Sequence, residues 1–466
     1  MNGRSSASLS PETAFTGVSI DSRTLRKGDL FIAIRGQNHD GHDFVEAALE
    51  AGAAAAVVSK AWLATRRRRS VRGRPLIAVA DTLETLQALA RYHRRRLGLP
   101  VIGVTGSNGK TTTKEMIGAA LAPSLRVLRS EGSYNNHIGV PLTLLRLRRM
   151  HEVAAVEIGT NHPGEIAALC TIAEPTGGVI TNVGATHLEF MGTVDAVARE
   201  KQQLVEAIGP QGFVVLNADD ERVMAMAAAT EARIITFGTG PEADVCGRIG
   251  DMRDGVKPVF EIEGGPVVRL QVPGRHNVLN ALAALAVATA LDCPLEAAAR
   301  GLEGFRGTRW RGEIVRAGAI VVLNDAYNAN PVSARNALDM LSAWNEEGIV
   351  RRVAVLGDML EMGEGAGSLH RSLGYEAAER NVDLLVAVGR WAAEVAGGAR
   401  AGGLNNGCVL VSEDVETAWQ ALAERLEAGD AILLKGSRGV GLEMIAERIS
   451  ERVRTAGGTS GTKGGE

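Results

Sequence analysis

At 466 residues, and with roughly 150 residues per domain, the chain has room for about three domains, each able to bury a core without staples. Hydrophobic residues make up 45%, charged residues 23% and aromatics 4%, which excludes a fibrous or disordered chain. The 51 Lys and Arg against 54 Asp and Glu leave a formal charge of −3, so nothing attracts nucleic acid or an anionic membrane in general, and any polyanion must be held locally. Cys170, Cys246, Cys293 and Cys408 show no CxxC or zinc spacing and suit a reducing compartment. The start, MNGRSSASLSPETAF, has no apolar leader run, and no segment approaches the roughly 18 apolar residues of a membrane span, so a cytoplasmic protein is expected.

In chain order, DLFIAIRG (29–36), FVEAALEAGA (44–53), AAVVS (55–59) and PLIAVAD (75–81) alternate strand with helix and predict a small α/β domain. The run Arg66 to Arg69 reads as a solvated loop. A helix carrying Arg94, Arg95 and Arg96 follows, then Gly98 and Pro100 interrupt, which places a boundary near 98. From there VIGVTG, AAVEIG, GGVITNVG, FVVLNAD and ARIITFG are apolar, β-branched runs bounded by turn residues, as in buried parallel strands. A helix over NVLNALAALAVATALD (277–292) and the Gly/Arg-rich FRGTRWRGE (305–313) close this second domain. AIVVLNDAY, RRVAVLGDM, DLLVAVG, CVLVS and DAILLKG then alternate with helices as a third α/β domain, and TAGGTSGTKGGE (455–466) reads as a disordered tail. The expected domains are 1–98, 99–308 and 309–466.

The strongest local signal is VIGVTGSNGKTTT (101–113), an apolar strand, a glycine turn and Lys-Thr opening a helix. Backbone N–H groups of Gly106, Ser107, Asn108 and Gly109 can close around phosphate oxygens. Lys110 can reach the terminal phosphates, and a Thr hydroxyl, Thr111 or Thr112, can ligate Mg²⁺. The ordinary P-loop wants Gly five residues before Gly109, where Val104 stands, so a merely structural glycine turn is the alternative. A triphosphate site also needs metal ligands at the carboxyl ends of neighbouring strands. Glu157 ends one such strand and His187 follows another; the bland roles are a helix cap and a surface loop residue.

With TGSNGKTTTKEM (105–116), the blocks YNNHIGVPLTLL (134–145), VEIGTNHPGEI (156–166), NVGATHLEFMG (182–192) and GRHNVLNALAALAVA (274–288) resemble the Mur ligases of peptidoglycan synthesis, whose ATP loop has the same offset spacing. NDAYNANPVSARNAL (324–338), LGDMLEMGE (356–364) and LLKGSRGVGLE (433–443) are similar to the family's third domain, and DSRTLRKGDLFIAIRGQNHDGHDFVEAALEAGA (21–53) to its UDP-substrate domain. The resemblance implies three α/β domains: a UDP-substrate domain, a central P-loop ATPase-like parallel sheet and a C-terminal Rossmann-like ligase domain. It implies ATP and Mg²⁺, with Lys110 and Thr111 on phosphate and metal, Glu157 and His187 as metal residues, and Asn277 and Asn280 on the adenine side. It also implies that Lys201, 14 residues beyond His187, is carbamylated by CO₂ into an anion near the metal; read without the resemblance, Lys201 is one solvated charge on a helix.

The same resemblance implies a UDP-N-acetylmuramoyl-tripeptide and D-Ala-D-Ala as substrates, joined through an acyl phosphate, with a monomer as the working unit. Asp21, Ser22 and Arg23 are then expected at the uridine side, Asn135 and Asn136 at the substrate, and Asp325, Tyr327, Asn328 and Asn330 at the dipeptide end. Arg23 as a plain surface charge, and Asn328 and Asn330 as helix caps, remain the structural alternatives. Siblings that add the third amino acid carry a YAHTP-like stretch where YNANP stands, which argues against them and against a folate polyglutamate synthase. A GTPase-type switch lacks its [NT]KxD guanine-reading sequence here.

Overall fold

The computed structural model describes residues 4–5, 13–36, 38–65 and 75–458; the basic run 66–69 and the tail beyond 458 lie outside them. The chain forms two compact units whose limits differ from the sequence boundaries: one holds 1–103, 125–160 and 164–177, the other 104–124, 161–163 and 178–466. In the first, a sheet runs in the order Arg4–Ser5, Leu76–Val79, Ala55–Ser59, Leu30–Ile32, Val18–Ser19, parallel except at its first pair. Phe31, Ala56 and Val58 on its strands pack with Val45 and Ala48 of helix Val45–Glu50. Burying Phe31, Val45 and Val58 stabilises by about 1.5–3 kcal/mol each, and the alanine methyls by less.

Helix Thr82–Leu97 begins where Asp81 accepts a hydrogen bond from the Glu84 N–H (2.8 Å) and ends at Gly98 in the left-handed region. Its basic face serves the fold. Arg94 Nε and Nη2 donate to the carbonyls of Ala173 and Glu174 (both 3.0 Å), capping helix Glu165–Ala173, while Arg91 and Arg95 hold the Glu174 carboxylate at 2.9 and 2.5 Å. The Arg95 hydrogen bonds, seconded by Arg91, lower the Glu174 pKa to about 2. The carboxylate therefore contributes stability that is complete above its usual pKa near 4.5 and lost as pH falls towards 2. Glu174→Gln is expected to lower the urea midpoint at pH 7, with the gap to wild type closing near pH 2; a gap that stays constant with pH would refute the assignment.

In the second unit, parallel strands Phe213–Asn217, Arg233–Gly238 and Val245–Arg253 continue into an antiparallel meander, Val245–Arg253, Lys257–Ile262, Val267–Arg269. The parallel strands expected in the middle domain are thus followed by a meander. The added strands alternate buried with exposed residues instead of running apolar throughout, because one face is solvated. Their turn, Asp254-Gly255, is a strong short-range hairpin signal. Val256 beside it joins the core of the third sheet. Helix His276–Ala290 is buried almost all round from Asn277 to Ala288, as expected of a core helix.

The third sheet runs Glu313–Ala317, Ile320–Asp325, Asp430–Lys435, Arg351–Gly357, Leu384–Val388, Val409–Ser412, parallel after its opening hairpin. One face packs on helices Pro331–Ala343, Ala366–Glu379 and Ala392–Ala401, the other on Val415–Ala423 and Glu443–Gly458. Both faces are covered, which is why its strands read as unbroken Val, Leu and Ile. Helix Glu443–Gly458 extends four residues into the segment expected to be a disordered tail. Among the described residues no helix is long and apolar enough to cross a membrane.

Candidate functional site

Strand Val101–Thr105 is fully buried, and Lys110 opens helix Lys110–Leu121 one residue after Gly109. Between them the loop is pinned along its length. Ser107 N–H donates to the Asn182 carbonyl (2.9 Å), Asn108 N–H to Asn182 Oδ1 (2.9 Å), and the Thr181 hydroxyl to the Asn108 carbonyl (2.6 Å). The Gly184 N–H donates to Ser107 Oγ (2.8 Å), and the Thr186 hydroxyl to the same oxygen (3.2 Å). Gly106 (φ +152°) and Gly109 (φ +82°) lie where only glycine fits: a Cβ at the first would fall on the Thr181 hydroxyl, at the second on the Asn280 amide. A preformed cradle of N–H groups at a helix N-terminus has the geometry and potential that favour an anion. Lys110 Nζ donates to the Gly106 carbonyl at 2.8 Å, holding the ammonium over the loop, and Thr111 is buried behind it with Thr112 half-buried.

Asn277 and Asn280 brace this cradle from behind. The Thr113 hydroxyl donates to Asn280 Oδ1 (3.1 Å), Asn280 Nδ2 to Asn277 Oδ1 (2.9 Å), and Asn277 Nδ2 to the Pro273 carbonyl (2.6 Å). Both asparagines are buried.

His187, at φ +54°, meets Glu361, at φ +61°, across 2.5 Å between Nδ1 and Oε2. That contact, with the nearby His162, holds the Glu361 carboxyl below its ordinary pKa. Lys201, on helix Val194–Glu206, is only 1% exposed beside buried Glu200. Burial first, and the Lys110 charge second, push its pKa well below that of a free lysine, against the pull of Glu200. It is not the solvated helix charge of the bland alternative.

At the carboxyl end of strand Ile320–Asp325, Asp325 Oδ2 pairs with buried Lys435 Nζ (2.7 Å), which also donates to the Asn328 carbonyl (2.6 Å). Tyr327 lies under the Arg311 guanidinium, 3.7 Å from ring centroid to Cζ. Asn330 caps helix Pro331–Ala343: its Oδ1 accepts from the Ser333 N–H (2.9 Å) while its Nδ2 donates to Asn108 Oδ1 in the phosphate loop (2.6 Å). Asn328 is exposed. The cap alternative therefore describes Asn330 in part and does not extend to Asn328. Asn330→Ala is expected to lower the melting temperature by about 2–4 °C, the loss of one cap, while Asn328→Ala melts with wild type; equal melting of all three proteins would contradict this.

The first unit holds the remaining predicted residues. Arg23 folds onto Asp21 through Nη2 (2.7 Å) and Nε (2.9 Å) beside half-buried Ser22, and its side chain is 87% exposed. These bonds lower the Asp21 pKa to about 2. Glu157 is buried at the end of strand Val153–Glu157 and accepts from Asn135 Nδ2 (2.8 Å). Asn136 Oδ1 accepts from the Gly139 N–H (2.9 Å) at the start of helix Gly139–Leu145. A separate cavity of about 640 Å³ lies among Lys60, Asp81, Glu84 and Tyr92, away from every predicted residue.

Glu361, Lys435, Arg311 and Arg438 were not singled out from sequence, although each lies inside a quoted block. Position offered a signal for Lys435 alone, a charge that ends the apolar strand Asp430–Lys435.

Three family models match the chain: "Mur ligase family, catalytic domain" over residues 14–94, "Mur ligase middle domain" over 104–288, and "Mur ligase, glutamate ligase domain" over 310–438. Among characterised relatives, the UDP-N-acetylmuramoyl-tripeptide--D-alanyl-D-alanine ligase of Bacillus subtilis is 36% identical, with 94% of each chain covered; that of Escherichia coli is 31% identical, with 93% of each covered. The crystal structure of MurF from Acinetobacter baumannii superposes with a TM-score of 0.83 at 33% identity, covering 95% of this chain and 94% of that one. MurF ligase from Thermotoga maritima in complex with ADP superposes at 0.79 and 27% identity, covering 94% and 98%. With a pinned glycine cradle, a third sheet whose cap touches it, and family matches along almost the whole length, the chain belongs to the Mur ligase family.

Proposed function

We propose that this chain joins D-alanyl-D-alanine to a UDP-N-acetylmuramoyl-tripeptide, with cleavage of ATP to ADP and phosphate. The observation that carries the reading is end-to-end likeness to ligases of that name, 94% of both chains in the first case, around a preformed phosphate cradle. The terminal carboxylate of the tripeptide attacks the γ-phosphorus, ADP leaves, and an acyl phosphate forms. The dipeptide amine then attacks the acyl carbon, phosphate leaves, and the amine proton passes to solvent. Attack of one anion on another makes positioning and charge neutralisation the whole task. Lys110, already held over the loop, supplies the cation.

The donor set suits Mg²⁺. Among the described residues no three His, Cys, Asp or Glu side chains gather into a protein-only cage, and Mg²⁺ ordinarily takes one or two protein ligands plus substrate phosphates. Thr111, Glu157 and His187 are the candidates from which one or two would hold it beside the phosphates; when bound, it would neutralise charge on the transferring phosphoryl group. Lys201 would place a further anion near it. A buried amine with a depressed pKa is neutral often enough for Nζ to attack CO₂, forming an N–C bond, losing a proton and leaving a carbamate anion. Asp21, Ser22 and Arg23 belong to the UDP side, and Asp325, Tyr327, Asn328 and Asn330 to the dipeptide and nucleotide side. The work is cytoplasmic, in keeping with four free thiols, and done by a monomer.

The test is ADP release from ATP and UDP-tripeptide, with and without D-Ala-D-Ala, with the product weighed by mass spectrometry. Dipeptide-dependent ADP release and a pentapeptide product are expected. ATP turnover indifferent to the dipeptide would overturn the reading.

A further inference from the structure

Where strand Asp430–Lys435 ends, Gly436-Ser437 leads into a single helical turn, Arg438–Val440. The turn is anchored: Ser437 N–H donates to the Asp358 carbonyl (2.9 Å), and Leu360 N–H donates to Ser437 Oγ (3.0 Å). It presents Arg438 between two aromatic rings, 4.8 Å from the Trp310 centroid and 5.3 Å from that of Tyr327. The backbone that carries the rings is held: the Trp310 main-chain N–H, at φ +62°, donates to Glu313 Oε2 (3.0 Å), and its carbonyl accepts from the Tyr327 main-chain N–H (3.2 Å).

Tyr327 also carries the Arg311 guanidinium, so two cations share one ring. Neighbouring Arg309 has its carboxylate, Glu447, at 3.1 Å. Among the described residues neither Arg311 nor Arg438 has a carboxylate within 4.0 Å. Two like charges over one ring with no carboxylate within 4.0 Å make a place for an anion, and a guanidinium held by cation–π contact keeps its N–H donors for a carboxylate. The surroundings narrow the choice. Phosphates already have the glycine cradle and Lys110, whereas aromatic walls suit a ligand with methyl groups beside its charge. Exposed Asn328, after Tyr327, adds an amide able both to donate and to accept.

We propose that Arg438, held over Trp310 and Tyr327, binds the free terminal carboxylate of the incoming dipeptide and so selects an acceptor that ends there. This rests on the ligase reading and adds to it the residue that recognises the acceptor's charged end.

The test compares D-Ala-D-Ala with D-alanyl-D-alaninamide, its uncharged carboxamide, as acceptors for wild type, Arg438→Gln and Arg438→Lys. Wild type is expected to prefer the acid by about 10- to 100-fold in kcat/KM, the worth of one charge-assisted pair. Arg438→Gln should lose that preference through a raised dipeptide KM, with KM for ATP and the melting temperature unchanged. Arg438→Lys should keep part of it, having the charge without the fork. A wild-type acid-to-amide ratio retained by Arg438→Gln overturns the proposal. So does a loss that falls on KM for ATP, which would give the anion to a nucleotide phosphate. Equal use of both acceptors by wild type overturns the carboxylate clamp alone, whereas no dipeptide-dependent ADP release at all overturns the ligase reading beneath it.

Discussion

Lys110→Ala is expected to yield a folded protein whose ATP-dependent ligation falls by about 10³-fold, the upper end for removing one preorganised charge from a transition state. The loop does not depend on the ammonium for its shape. Its form comes from the Thr181, Asn182 and Gly184 contacts and from glycines at positions 106 and 109. What the ammonium does contribute is a bond from Nζ to the Gly106 carbonyl (2.8 Å), a site at which a phosphate oxygen can compete for it. Lys110→Met and Lys110→Arg separate bulk from charge: Met should behave as Ala, and Arg should recover only part of the rate because its fork does not fit a point-charge site. Steady-state kinetics with a circular-dichroism melt decide it; near-normal turnover in Lys110→Ala would remove Lys110 from the chemistry.

The second large effect is expected at Lys201, where activity and stability should move in opposite directions. In the native chain burial and the nearby Lys110 charge disfavour the protonated amine, while the unfolded chain carries it at the ordinary value of 10.5. Between the lowered native pKa and 10.5 the unfolded state binds more protons, so wild-type stability rises with pH across that window. Lys201→Met removes the cost of burying the amine and keeps most of its volume. In CO₂-free buffer it should melt above wild type, by a margin that widens as pH falls from 9 to 7. On the proposed carbamate role, ligation should drop by about 100-fold with the loss of an anion beside the metal. A ¹³C-bicarbonate NMR spectrum should show a carbamate carbon in wild type and none in Lys201→Met. Lower stability with normal activity in the variant would make Lys201 a structural residue only.

Much of this was legible from local pattern. Unbroken Val and Ile runs mark strands covered on both faces, and Gly-Lys-Thr after such a run marks a helix opening on a phosphate. The meander over 245–269 was not read, because one solvated face breaks the apolar run on which the strands were identified, although Asp254-Gly255 advertised the turn. Pairings across the chain lay further out of reach. Asn108 and Asn330 are 222 residues apart, and only the fold brings their amides to 2.6 Å. Nor does any spacing show that Lys435 will bury its charge against Asp325, or that Arg438 will find Trp310 and Tyr327. The depressed pKa of Lys201 is likewise a property of burial, and one lysine in AVAREKQQLVEAI looks like any other until the helix is placed.

The arginines of helix Thr82–Leu97 bear on how this chain can be taken apart. Gly98 and Pro100 suggest a natural place to cut, yet Arg94 closes the end of helix Glu165–Ala173, and Arg91 and Arg95 hold the carboxylate that follows it. A fragment ending at 98 would expose the buried Arg94 guanidinium and leave Arg91 and Arg95 without their carboxylate, and its complement would carry two carbonyls and a carboxylate stripped of their donors. Expressed alone, both pieces should be poorly soluble, and mixed they should find each other through this patch. A fragment pair for this enzyme therefore has to keep residues 1–98 joined to helix Glu165–Ala173, which they cap.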